Sequence, residues 1–156
     1  MHSTFWYLKT IIVADDHLFG RIMRLMLRSV GFDSIEIVRD LAQLRKQQTY
    51  QRHDLIVADS ELACHDCSDL LLSVRADPLL TPALFVMVTE DTSRRFYERC
   101  LRRGADAVIH KPVSIDELKN AVTELLVSRR AWRAKIVPHP TRLRNDLLRR
   151  AGEFER

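Results

Sequence analysis

Five residues of types that do chemistry stand behind short apolar runs: Asp15, Asp16, Asp59, Thr89 and Lys111. Ile11-Ile12-Val13-Ala14 precedes the acid pair. Leu55-Ile56-Val57-Ala58 precedes Asp59, residues 83–88 precede Thr89, and Val108-Ile109 lies just before Lys111. Apolar runs of this length, bounded by polar residues, read as strands buried on both faces of a parallel sheet. Such a sheet exposes its chemistry at the carboxyl ends of its strands. Asp59 alone would read better as the start of a turn, but four strand ends deliver matching groups. Three carboxylates in one small cavity repel each other and hold their protons more tightly unless a cation joins them. Oxygen ligands that leave room for water suit Mg²⁺. A lysine ammonium and a threonine hydroxyl beside them suit a group with negative oxygens, above all a phosphoryl group.

The elements that would position these residues alternate along the chain. Strands are expected over 9–14, 34–38, 54–59, 83–88 and 106–109. A helix from Leu18 is expected to turn Leu18, Ile22, Leu25, Met26 and Ser29 inward and to stop at Gly31. A polar helix over 41–48 would bury Leu41 and Leu44. Ser68 is a candidate cap for a helix carrying Leu70, Leu71 and Val74, ended by Asp77-Pro78. Thr92 or Ser93 opens an arginine-rich helix closed by Gly104. Ser114 and Glu117 form a capping box, followed by Ile115, Leu118, Val122, Leu125 and Leu126 at helical spacing. Five βα units in alternation predict a doubly wound parallel sheet with helices on both faces, an α/β fold.

Length and composition set bounds. The 156 residues suffice for about one domain. An apolar fraction of 46% and a charged fraction of 29% are those of an ordinary globular chain. Three cysteines make no complete disulfide framework, which favours a reducing compartment. No run approaches the roughly 18 apolar residues of a spanning helix, and the N-terminus lacks the pattern of a signal peptide. The chain is therefore expected in the cytoplasm, away from membranes. Its net charge of +4 is uneven. Residues 129–156 carry nine Lys/Arg against three Asp/Glu, whereas residues 1–128 are mildly acidic. Within that tail Pro138-His139-Pro140 breaks the chain, and Thr141 is a candidate cap for a last helix bearing Leu143, Leu147 and Leu148.

The acid pair, Asp59, Thr89 and Lys111-Pro112 fall in an order and at spacings that resemble the response-regulator receiver domain of two-component signalling, the CheY-like module. The steps are 43 residues from Asp16 to Asp59, 30 to Thr89 and 22 to Lys111. The resemblance covers residues 8–128 and leaves 129–156 as a basic tail, partly helical. It implies a flavodoxin-like sheet of order 2-1-3-4-5. It implies that Asp59 is the phosphoacceptor, taking a phosphoryl group from a histidine kinase or phosphotransfer protein. Asp16 and Asp59 would ligate Mg²⁺, with Asp15 close by or acting through water and the backbone carbonyl of Glu61 as third ligand. Lys111 would pair with a phosphoryl oxygen, Thr89 would move to bond the phosphoryl group, and the Lys111-Pro112 bond would be cis. Phosphorylation would then alter the surface of the fourth helix, fifth strand and fifth helix, which an unknown downstream protein reads. Such a module assists its own phosphotransfer and dephosphorylation and is not an enzyme in the usual sense.

The sequence departs from the family at four points. Val108 stands where an aromatic usually couples to the switch residue. Ala63 and Cys67 replace the usual proline and glycine of the loop after the phosphoacceptor. Glu90 replaces a small residue after Thr89. Residues 129–156 are too few for an output domain, so a stand-alone receiver with a short tail is expected. These departures keep two other readings open: a receiver-fold interaction module that works without phosphorylation, and a nucleic-acid-binding adaptor that uses the basic tail. The second is disfavoured, because the tail has no recognisable DNA-reading fold. Cys64-His65-Asp66-Cys67 contains C-x-x-C, yet its spacing suits an incidental loop better than a zinc or redox site. Cys100 reads as a small packed hydrophobe. Arg94, Arg95, Arg99, Arg102 and Arg103 read as a solvated helix face or a docking surface for an acidic partner or a second protomer.

Overall fold

The computed structural model describes residues 5–63 and 66–136. Among these, five strands alternate with five helices. They are β1 (Lys9–Val13), α1 (His17–Val30), β2 (Ser34–Val38), α2 (Leu41–Tyr50), β3 (Leu55–Asp59), α3 (Cys67–Ala76), β4 (Leu84–Thr89), α4 (Arg94–Arg102), β5 (Ala107–His110) and α5 (Ile115–Ile136). The strands are parallel and lie in the order β2-β1-β3-β4-β5. This is the flavodoxin-like arrangement, in which the order reverses beside β1 and leaves a crevice at the strand ends. The chain divides after Ala121 into two units, and the sheet with every candidate site residue lies in the first.

Every residue of β3 and β4 is buried, as helices on both faces require. Ile11, Val13, Ile56, Ala58, Phe85 and Met87 join Leu44 of α2, Leu70, Leu71 and Val74 of α3, and Phe96 and Cys100 of α4 in one core cluster. The alternate residues Ile12, Val57, Val86 and Val88 face the other way and are also buried. Helix α1 covers this second face. A Cβ at Gly20 would stand 3.3 Å from Cγ2 of Ile37, and Ile37 is the β2 partner of Ile12.

The expected elements from the first strand to the helix after Ser114 form, but three local readings are corrected. In α1 the inward residues are Gly20, Met23, Leu27 and Val30, whereas Leu18, Ile22 and Leu25 are exposed. The helix carries two apolar stripes, and a 3.6-residue period fits either. Gly20 settles the choice, because only a side without a side chain can come so close to Ile37. Helix α3 is capped by Asp66 rather than Ser68. The Asp66 carboxylate accepts from both Ser68 N (2.9 Å) and Ser68 Oγ (2.8 Å), which leaves the serine buried inside the first turn. In α5, Leu118 is buried but Ile115, the first residue after the cap, is exposed. The capping box itself forms: Glu117 N donates to Ser114 Oγ at 3.1 Å, and Ser114 N donates to Glu117 Oε2 at 3.4 Å. The expected last helix with Leu143, Leu147 and Leu148 lies outside the described residues.

Candidate functional site

Register brings the chemistry together. Val13 lies opposite Ala58 across β1 and β3, so Asp15-Asp16 and Asp59 leave neighbouring strands at one edge. Asp59 lies opposite Val88 across β3 and β4. Thr89 lies opposite His110 across β4 and β5, and the next residue, Lys111, donates its backbone N–H to Thr89 O at 2.8 Å. All five residues picked from the sequence thus gather at the carboxyl edge of the sheet.

Asp59 is 2% exposed. Its Oδ1 accepts from Lys111 Nζ at 2.8 Å and from the backbone N of Glu61 at 3.1 Å. Both bonds go to one oxygen, and a buried carboxylate needs such donors to stay charged. Lys111 Nζ also lies 4.7 Å from the Phe19 ring centre, a cation–π contact that holds the ammonium at the site. Glu61 Oε2 stands 3.8 Å from the same nitrogen. Lys111 draws the Glu61 carboxyl down, but desolvation and the nearby Glu90 and Asp59 carboxylates outweigh it and leave its pKa raised.

The acid pair divides its work. Asp15 Oδ2 accepts from Ala63 N at 2.6 Å and so ties the end of β1 to the loop after β3. Asp16 caps α1, with Oδ1 accepting from Leu18 N at 2.9 Å. On Asp16 and on Asp59 the second carboxylate oxygen has no hydrogen-bond partner among the described residues. Hard oxygens on two carboxylates and a backbone carbonyl fit Mg²⁺, which binds few protein ligands and keeps several waters. Among the described residues no group of three or more His, Cys, Asp or Glu side chains is gathered closely enough to hold a metal ion.

Thr89 is buried. Its Oγ1 accepts from Ser60 Oγ at 2.9 Å and from Asp91 N at 3.0 Å. The bonding continues towards α4: Asp91 Oδ1 accepts from Ser93 N at 2.8 Å, and Ser93 Oγ caps α4 by accepting from Phe96 N at 3.2 Å. The Lys111-Pro112 peptide is cis. Val108 lies on β5 opposite Met87 and packs against the core.

Ser60 and Phe19 were missing from the sequence reading. Ser60 had a signal, since it follows Asp59 directly. Phe19 had none, because its contact with Lys111 needs α1 and the loop after β5 to meet. The other candidates are less engaged. Cys67 opens α3 and is buried, which pushes its thiol up to about 11; burial also raises the Cys100 thiol. Neither is a reactive thiolate at neutral pH. Cys64 and His65 lie outside the described residues. On α4, Arg94 and Arg102 share Glu98 at 2.8 Å and 3.7 Å, and Arg103 pairs with Asp69 at 3.7 Å.

A buried aspartate at a strand end, held by a lysine and flanked by acids and a hydroxyl, defines a phosphoacceptor module on a doubly wound sheet. The family model of the response regulator receiver domain matches residues 10–123, and the chain belongs to that family. Its members are signalling phosphoacceptors of two-component systems rather than enzymes of the usual kind. The probable chemotaxis protein CheY of Rhizobium etli is 29% identical over 113 residues, covering 72% of this chain and 88% of that protein. The response regulator protein PmrA of Pseudomonas aeruginosa is 31% identical over 118 residues, covering 76% of this chain and 52% of PmrA. Among solved structures, the receiver domain of a histidine kinase from Syntrophus aciditrophicus superposes with a TM-score of 0.68 at 26% identity, covering 78% and 91% of the two chains. The chemotaxis response regulator CheY4 of Vibrio cholerae has the same fold, with a TM-score of 0.68 at 19% identity over 76% of this chain and 98% of that one. No helix among the described residues is long and apolar enough to cross a membrane.

Proposed function

We propose that residues 8–128 are a working phosphorylation switch in which Asp59 accepts a phosphoryl group from a histidine kinase or a histidine phosphotransfer protein. The observation that carries this reading is the asymmetry of the Asp59 carboxylate. Oδ1 is held by Lys111 and the Glu61 amide, while Oδ2 has no protein partner among the described residues. Oδ2 is the nucleophile. Its lone pair forms the new O–P bond as the P–N bond to the donor imidazole breaks. The released electron pair returns to the ring nitrogen, which takes up a proton. Asp16, Asp59 and the Glu61 carbonyl would hold Mg²⁺, with Asp15 beside them. That ion, when bound, offsets the charge that gathers on the phosphoryl oxygens.

Lys111 then exchanges its Asp59 contact for a phosphoryl oxygen, and Thr89 turns its hydroxyl inward to another. The loops after β3 and β4 move with them and change the face formed by α4, β5 and α5, where a partner protein reads the state. The test is the intact mass of the chain after incubation with phosphoramidate, with and without Mg²⁺, beside Asp59→Asn. A Mg²⁺-dependent gain of one phosphoryl group that the variant lacks supports the switch. No gain, beside a control receiver that is labelled, overturns it in favour of a receiver fold that signals through protein contacts alone.

A further inference from the structure

We infer that a second anion site lies beside the acid pair, a cavity between α1 and the β2–α2 turn built to hold a phosphate monoester. The cavity has a volume of about 420 Å³ and is lined by Ala14, Asp16, His17, Arg21, Arg24, Ile37, Arg39 and Gln43. That volume lies in the range of small-molecule sites. His17, Arg21 and Arg24 stand at positions i, i+4 and i+7 of α1 and so share one helix face. Arg39 reaches the same space from the end of β2.

The charge balance defines the ligand. Among the described residues none of the three arginines pairs with a carboxylate; the arginine ion pairs there belong to Arg45, Arg75, Arg94, Arg102 and Arg103. Arg39 Nη2 donates to His17 Nε2 at 3.0 Å. Three guanidinium charges against the Asp16 carboxylate leave two positive charges to be met. A phosphate monoester carries close to that, about −1.5 to −2 at neutral pH. Guanidinium forks suit its oxygens.

Arg24 is held only loosely by the protein, since its Nη2 makes one long bond, 3.4 Å to Ile35 O. Its Nε is closed off from the cavity, so an anion there would meet the outer guanidinium nitrogens. Ala14 and Ile37 give the cavity an apolar wall for the organic part of the ester. Asp16 lines this cavity and is also one of the proposed ion ligands, so occupancy of either site would affect the other.

The inference is independent of phosphotransfer to Asp59. It is tested by titrating the full chain, free of Mg²⁺, with AMP, adenosine and inorganic phosphate while recording ¹⁵N–¹H spectra. AMP is expected to bind saturably at one site, at least ten-fold tighter than adenosine and tighter than inorganic phosphate, shifting the Arg21, Arg24, Arg39 and Gln43 resonances. Arg39→Gln, at an exposed position, and Arg24→Gln are each expected to weaken AMP at least ten-fold with the rest of the spectrum intact. Repeating the titration on Asp59→Asn separates this site from the switch, since that chain has no phosphoacceptor. AMP binding no tighter than adenosine, or unchanged by both arginine variants, overturns the site. A phosphoserine peptide that outcompetes AMP overturns it in favour of a protein docking point.

Discussion

Ser60 Oγ donates to Thr89 Oγ1 across 2.9 Å, joining the residue after Asp59 to the hydroxyl at the end of β4. Thr89 must leave this contact to reach a phosphoryl group. A hydrogen bond of this kind contributes about 1 kcal/mol, which is roughly a factor of five in a population. Ser60→Ala is therefore expected to favour the inward Thr89 rotamer and to lengthen the life of the phosphorylated state about five-fold. Thr89 methyl shifts and the decay of phosphorylated mass measure this. An unchanged decay removes Ser60 from the switch.

The Lys111–Asp59 pair gives a stability prediction. Lys111→Met leaves a carboxylate that is 2% exposed without its cation, and breaking a buried pair from one side costs about 3 kcal/mol or more. Asp59→Asn removes the charge itself and is expected to cost under about 1 kcal/mol. The double variant should recover most of the Lys111→Met loss, so that a urea-denaturation cycle shows strong coupling. Additive losses would mean that the lysine owes its place to Phe19 instead.

His53 predicts a pH dependence. Burial holds its pKa below the ordinary 6.5, partly opposed by Glu36 and Asp54. Gln48 fixes the tautomer: its Nε2 donates to Leu79 O at 2.9 Å, and its Oε1 faces His53 Nδ1 at 2.7 Å. Nδ1 thus carries the proton, and Nε2 sits bare 3.3 Å from Glu36 Oε2. The folded chain resists a proton that the unfolded chain accepts, so this contribution is full above pH 6.5 and is lost as pH falls towards the lowered folded value. The urea midpoint should drop from pH 7.5 to 5.5, and His53→Gln should flatten that drop.

Helix α1 offers a direct check of its orientation. Leu27 is fully buried and Leu25 is 63% exposed. Leu27→Ala is expected to cost about 2–5 kcal/mol, whereas Leu25→Ala should stay within about 0.5 kcal/mol. Denaturation midpoints of the two variants settle which stripe meets the sheet.

The sequence revealed the strands and the residues at their ends because buried parallel strands are short, apolar and closed by polar groups. Asp15, Asp16, Asp59, Thr89 and Lys111 could be placed from that pattern alone. The face of α1 could not, since Leu18, Ile22 and Leu25 are as apolar as Met23, Leu27 and Val30, and only the approach of Gly20 to Ile37 distinguishes them. Asp66 and Ser68 are both capping residue types two positions apart, and only the bond from Ser68 N to the Asp66 carboxylate tells which one caps α3. Ser60, Phe19 and the arginine cavity depend on side chains from separate elements meeting, which no local spacing records.

Val108 has a wider consequence. With no ring at that position, news of Thr89 cannot travel as the swing of an aromatic on β5. What leaves Thr89 is a string of short local bonds, from its Oγ1 to Asp91 N, from Asp91 to Ser93 and from Ser93 to Phe96. If Thr89 turns inward as proposed, Asp91 would lose its anchor and the opening turn of α4 would loosen. The output of this protein would then be written in the fraying of a helix end, as amide exchange at Phe96 and Tyr97, instead of in the pose of one side chain.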